Sequence, residues 1–141
     1  MNQYLKQYQK THVETAPPER ILVMLFEGAI QFLNKSKIAM EKEDIQDMHN
    51  NLIGAQNIIY EFINTLDPKP NPDVAENLRR LYQYMIERLV EANMKRKIEP
   101  IDEVLGFLRE LKETWEKAIL IAKEENGGEA IVREEVEVAA E

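Results

Sequence analysis

Four stretches of this chain repeat apolar residues at helical spacing, and the residues between them are those that start and stop helices. Ile45, Met48, Leu52, Ala55, Ile59, Phe62 and Leu66 form one heptad stripe. Leu78, Tyr82, Met85, Leu89 and Ala92 form a second, and Ile101, Val104, Leu108, Leu111, Trp115, Ala118 and Ala122 a third. Each is enough to bury one side of a helix in a bundle. In the stretch before them, Leu22, Leu25, Ala29, Leu33 and Ser36 face inward, while Glu27, Gln31, Asn34, Lys35 and Ile38 trace the outer side. The first helix starts near Pro18, where the missing N–H has no helical partner to lose, and runs to about Glu43. Asp44 caps the second, which ends at Asp67-Pro68-Lys69-Pro70. Asn71-Pro72-Asp73 supplies the third with a capping amide, a first-turn proline and an acid, and Lys95-Arg96-Lys97 suits its negative end. The fourth starts at Pro100 and is expected to end at Asn126-Gly127-Gly128. Short connections make sequence neighbours antiparallel. The expected fold is all-α: an antiparallel four-helix bundle over 17–126, an N-terminal arm over 1–16, and an acidic C-terminal tail over 127–141, read as disordered or as a loose extra helix.

Composition narrows the function classes. The chain has 141 residues, the size of one domain with one core. Its net charge of −8 repels phosphate, and no basic run offsets it, so nucleic acid is not an expected partner. The absence of cysteine removes disulfides, thiol nucleophiles and thiolate metal sites, and fits a reducing compartment such as the cytoplasm. The longest apolar run, Ile21 to Phe26, is far short of the ~20 residues that span a bilayer, and no basic, signal-like opening precedes it. A soluble, unprocessed protein without membrane insertion is expected.

Enzyme chemistry has few footholds. The only histidines are His12, in the arm, and His49, and neither comes with a nucleophile and an orienting third group. No Glu-x-x-His pair serves a di-iron bundle, and no glycine-rich loop cradles a phosphate, so neither metal nor cofactor is expected. The alternative reading is a histidine phosphotransfer domain using His49. Such domains place a lysine about three residues on with a glycine after it; here Leu52 and Ile53 stand at those places.

The apolar residues left over point to binding. Val23, Met24, Ile53, Tyr60, Ile63, Tyr84, Ile86, Val90, Phe107, Leu120 and Ile121 lie off the stripes, and a small protein exposing them all would carry the kind of patch that meets another chain. Ile53, Tyr60 and Ile63 share one face of the second helix, and Ile86, Val90 and Met94 one face of the third, so the two faces can form a groove for an amphipathic helix. Tyr84 interrupts an otherwise polar stripe, where a ring with a hydrogen-bonding tip suits an interface. Val23 and Met24 continue the outer stripe of the first helix and are expected to lie uncovered by the bundle. Tyr4, Leu5 and Tyr8 in the arm come to one side in a single helical turn, which makes the arm a candidate lid over that pair. The same faces also allow weak self-association.

The run Ala16-Pro17-Pro18-Glu19-Arg20-Ile21-Leu22-Val23-Met24-Leu25-Phe26-Glu27-Gly28-Ala29-Ile30-Gln31-Phe32-Leu33 resembles the opening helix of the FliS family of flagellar export chaperones. Asn77-Leu78-Arg79-Arg80-Leu81-Tyr82-Gln83-Tyr84-Met85-Ile86-Glu87-Arg88-Leu89 with Ala92-Asn93 is similar to that family's third helix, and Ile101, Glu103-Val104-Leu105 and Trp115 to its fourth. The likeness spans about residues 2 to 124, departs where the family usually has serine and this chain has Pro17, and does not reach the tail. It implies a cytoplasmic chaperone, not an enzyme, that binds the C-terminal segment of flagellin, prevents premature filament assembly and delivers its client to the export gate. It further implies gate contacts at Leu5 and Tyr8, and client contacts in the grooves at Ile53, Tyr60, Ile63, Tyr82, Tyr84, Ile86 and Val90, with Met24 and Phe107 beside them.

Overall fold

The computed structural model describes the backbone of residues 18–140 and the side chains of residues 20–125. Four helices make up the described residues: α1 (Pro18–Glu41), α2 (Ile45–Thr65), α3 (Pro72–Lys95) and α4 (Glu99–Ala140). Their starts follow from the predicted caps. The Asp44 carboxylate accepts from the Asp47 N–H at 3.1 Å, and Asn71 Oδ1 accepts from the Val74 N–H at 3.2 Å, each satisfying an amide that the first turn leaves free. The turns after α1 and α3 are made by two charged residues in the left-handed region, Glu43 (φ 59°) and Arg96 (φ 55°). The Asp44 N–H then donates to the Ala39 carbonyl at 2.9 Å, and the Lys97 N–H to the Ala92 carbonyl at 3.3 Å, closing both helix ends. At the other extreme, α4 does not stop at Asn126-Gly127-Gly128 but continues to Ala140. A helical glycine costs only about 1 kcal/mol relative to alanine, which weakens a helix without ending it.

α1 packs on α2 and α4, and α3 packs on α2 and α4, so the helices form a square. Three contacts establish that neighbours run antiparallel. Phe26 near the start of α1 meets Phe62 near the end of α2, with ring centroids 4.6 Å apart. His49 near the start of α2 meets Asn93 near the end of α3. Lys37 near the end of α1 pairs with Asp102 near the start of α4 at 2.6 Å. Phe26, Leu33, Met48, Leu52, Ile59, Met85, Leu89, Ile101 and Leu108 fill the centre.

The stripes name much of this core, but Phe26, Ile58 and Leu105 are buried although no stripe includes them, and Leu22 and Leu25, expected to face inward, are only half-buried. Ile45 is exposed, because it opens α2 at the rim of the bundle. Towards the far end of α4 the stripe loses its cover: Trp115, Ala118 and Ala122 are exposed and Ile119 is buried instead. Val23, expected to lie uncovered, is fully buried. It stands one turn before Glu27, whose carboxylate is 3.5 Å from Lys112 on α4, so this side of α1 faces a neighbouring helix.

α1 and α2 are tightly apposed where Phe32 lies on Gly54. A Cβ at residue 54 would sit 2.8 Å from the Phe32 ring, whereas one at Gly106 on α4 would meet nothing within 4 Å. Gly54→Ala should therefore destabilise by about 1 kcal/mol, the overlap outweighing the gain in helix propensity. Gly106→Ala should stabilise by about 0.5–1 kcal/mol. Urea unfolding of the two variants is expected to move the midpoint in opposite directions.

Candidate partner-binding surface

The four seams of the square are closed to different degrees. Ion pairs cross two of them: Lys37–Asp102 and Lys112–Glu27 join α1 to α4, and Arg88 Nε lies 3.4 Å from Glu103 Oε1 between α3 and α4. The α1–α2 seam is sealed by Phe32 on Gly54. Among the described residues no ion pair crosses the α2–α3 seam. Its outer polar contact is the 2.7 Å hydrogen bond between Asn93 Nδ2 and His49 Nδ1, and beyond it the seam is mostly apolar, with the buried amide of Gln56 among its residues. Ile53 and Ile63 are half-buried and Ile86 is buried, while Tyr60 and Val90 stand 49% and 41% exposed. The antiparallel register set by His49 and Asn93 puts all five along one trough.

The remaining expected site residues go elsewhere. Tyr84 turns to the opposite side of α3, where its ring meets Phe107 edge-on at 6.3 Å. Hydrogen bonding to the Glu103 carboxylate, with burial second, raises its hydroxyl above the ordinary tyrosine range. Tyr84 and Phe107 thus belong to the α3–α4 seam. Met24 is half-buried on α1. Tyr82 is in the core, 2% exposed, its ring 5.4 Å from Phe62. Tyr4, Leu5 and Tyr8 lie outside the described residues. The expected residues are therefore one trough of five, one pair on the next seam, and single positions on α1 and in the core.

A second opening was not foreseen. At the end of the bundle where α2 gives way to α3, a cleft of about 370 Å³ is lined by Leu22, Phe62, Leu66, Pro70, Val74, Leu78, Tyr82 and Trp115. The signal for it was Trp115, which heptad spacing assigns to the core. A ring that wide, so late in α4, stands beside the proline-bearing α2–α3 connection and becomes a wall of the cleft.

Burial pushes the Tyr82 hydroxyl up from 10.0 to about 12. An ordinary tyrosine in the unfolded chain loses its proton first as pH rises, so the folded state binds the proton more tightly. The contribution to stability is whole below about pH 10 and is lost as pH climbs to about 12. It amounts to at most ~3 kcal/mol. Tyr82→Phe should flatten the stability profile across that interval in urea melts; parallel decline of variant and wild type would refute the assignment.

His49 is exposed and engaged with Asn93, and its ring ties α2 to α3. No helix among the described residues is long and apolar enough to cross a membrane. Among the described residues, this four-helix bundle leaves apolar side chains exposed along its α2–α3 seam and an apolar cleft at one end, surfaces of the kind that meet another chain. The family and its relatives agree with that class. The model of the family described as "Flagellar protein FliS" matches residues 1–123. The flagellar secretion chaperone FliS of Bacillus subtilis (strain 168) is 34% identical over 121 residues, covering 86% of this chain and 90% of that protein. The flagellar secretion chaperone FliSB of Pseudomonas aeruginosa is 37% identical over 116 residues, covering 79% and 92% respectively. A crystal structure of a flagellar chaperone from bacteria shares the fold, with a TM-score of 0.68 at 20% identity over 83% of this chain and 95% of that one. The chain belongs to the FliS family of flagellar secretion chaperones, a family of chaperones and not of enzymes.

Proposed function

We propose that the protein binds the C-terminal segment of flagellin in the α2–α3 trough, keeps it from polymerising prematurely in the cytoplasm, and delivers it to the flagellar export gate. The observation that carries this reading is the unsealed seam: Tyr60 and Val90 stand exposed over Ile53, Ile63 and Ile86, with no ion pair across them among the described residues. A client helix with apolar residues at i, i+3, i+4 and i+7 completes such a seam as a third partner. The cleft beside Phe62 and Trp115 has room for a bulky apolar side chain of the same client. In this reading the arm residues Tyr4, Leu5 and Tyr8 serve as lid or gate contact, and Tyr84 and Phe107 as a flanking surface.

No nucleotide is needed to make binding reversible. A client segment that orders on binding spends about 2–5 kcal/mol or more of its contact energy on that ordering, which leaves an affinity that competition can overcome. Calorimetric titration with a flagellin C-terminal peptide should give saturable binding, a negative heat-capacity change and a gain of helix by circular dichroism. Absence of heat and of helix gain would overturn the reading. Light scattering separates it from plain self-association, because the peptide should dissolve any oligomer built on the same faces.

A further inference from the structure

Three polar side chains are buried in the described bundle, and two of them are answered within their own helices. The Ser36 hydroxyl donates to the Leu33 carbonyl at 2.7 Å, and Asn51 Nδ2 donates to the Asp47 carbonyl at 2.8 Å. The third, Gln56, is 7% exposed and makes no hydrogen bond among the described residues. Its amide atoms are nevertheless not cut off from water.

Its place in the fold gives that unanswered amide a meaning. His49, Ile53, Gln56, Tyr60 and Ile63 follow one another at heptad spacing along the α3-facing side of α2. His49 is level with Asn93, and one heptad further along each antiparallel helix Gln56 comes level with Ile86. The floor of the trough therefore has one buried amide among apolar neighbours, and among the described residues only water can serve it. A client lying in the trough expels that water. An amide left unpaired under the client would cost from about fivefold to a hundredfold in affinity. A helical client has its backbone amides and carbonyls bonded internally, so only a side chain can reply. A charged one would lose its hydration with no counter-ion across the seam.

We propose that Gln56 is a specificity-determining residue, which pairs with a neutral amide or hydroxyl side chain carried on the otherwise apolar face of the flagellin segment and so fixes its register in the trough. The proposal rests on the binding reading above and adds to it the chemistry of the contact. It also accounts for glutamine at a position where leucine would suit the isolated fold better.

The test uses the full-length protein and the C-terminal flagellin peptide, with Gln56→Leu on one side and single replacements of each neutral polar peptide residue by leucine on the other. Gln56→Leu is expected to weaken the native peptide about tenfold while raising Tm by about 3 °C, opposite signs that a merely structural glutamine would not give. One peptide replacement that weakens binding to the wild type should restore binding to Gln56→Leu. Equal or tighter binding of the native peptide by Gln56→Leu would overturn the proposal, as would losses that simply add for every peptide replacement. Failure of the wild type to bind any peptide would instead overturn the reading beneath it, and the proposal with it.

Discussion

Val90→Glu should lower affinity for the flagellin C-terminal peptide by at least about a hundredfold while leaving thermal stability almost unchanged. Val90 is 41% exposed on α3, one turn beyond Ile86, so in the free protein a carboxylate there stays in water. A surface change of this kind stays within about 0.5 kcal/mol of the wild-type stability. Under a bound client the same carboxylate loses its hydration, and no cation crosses the seam among the described residues to compensate. The penalty of several kcal/mol exceeds the ~2.7 kcal/mol that a hundredfold represents. Leu120→Glu is the matched control, since Leu120 is exposed on α4 away from the trough and should bind as the wild type does. Calorimetric Kd values alongside thermal melts decide the matter. Native affinity in Val90→Glu would move the client to the α3–α4 seam or to the end cleft.

The second large effect belongs to the core. Phe62 is 2% exposed and lies between Phe26 and Tyr82, with ring centroids 4.6 and 5.4 Å away, so one side chain joins α1, α2 and α3. Phe62→Ala removes both contacts and leaves a void opening towards the cleft, with an expected loss of about 3–5 kcal/mol. Against a total of about 5–15 kcal/mol for a domain, that leaves the bundle marginal. Urea unfolding should show the loss as a lower midpoint with little change in slope. A loss below about 1 kcal/mol would mean that the ring cluster does not hold these helices together.

Helix starts were legible because their signals are local. Asp44 and Asn71 each satisfy an amide three residues on, and Pro72 fixes the first turn. The ends after α1 and α3 fall within about two residues of their expected places, although Glu43 and Arg96 do the work usually given to glycine. The left-handed backbone is imposed there by the turn the bundle requires, and side-chain identity carries little trace of it. Heptad spacing separates core from solvent but does not separate a sealed seam from an open one. Val23, Ile86 and Val90 all lie off the stripes, yet the first two are buried and the third is exposed. What divides them is which neighbouring helix stands opposite, a tertiary fact. Tyr82 shows the same limit from the other side: its core position was read from the stripe, while its place on a cleft wall depends on Trp115 arriving from α4. Gln56 passed unnoticed because a lone amide in an apolar row looks like any solvated residue until its burial is known.

The absence of ion pairs from the α2–α3 seam among the described residues bears on how a guest is let go. Contacts made of hydrocarbon and a single amide carry little charge to screen, so modest changes in ionic strength are expected to alter them little. If a client binds there as proposed, its departure is expected to come from competition by another apolar surface and not from a change in salt.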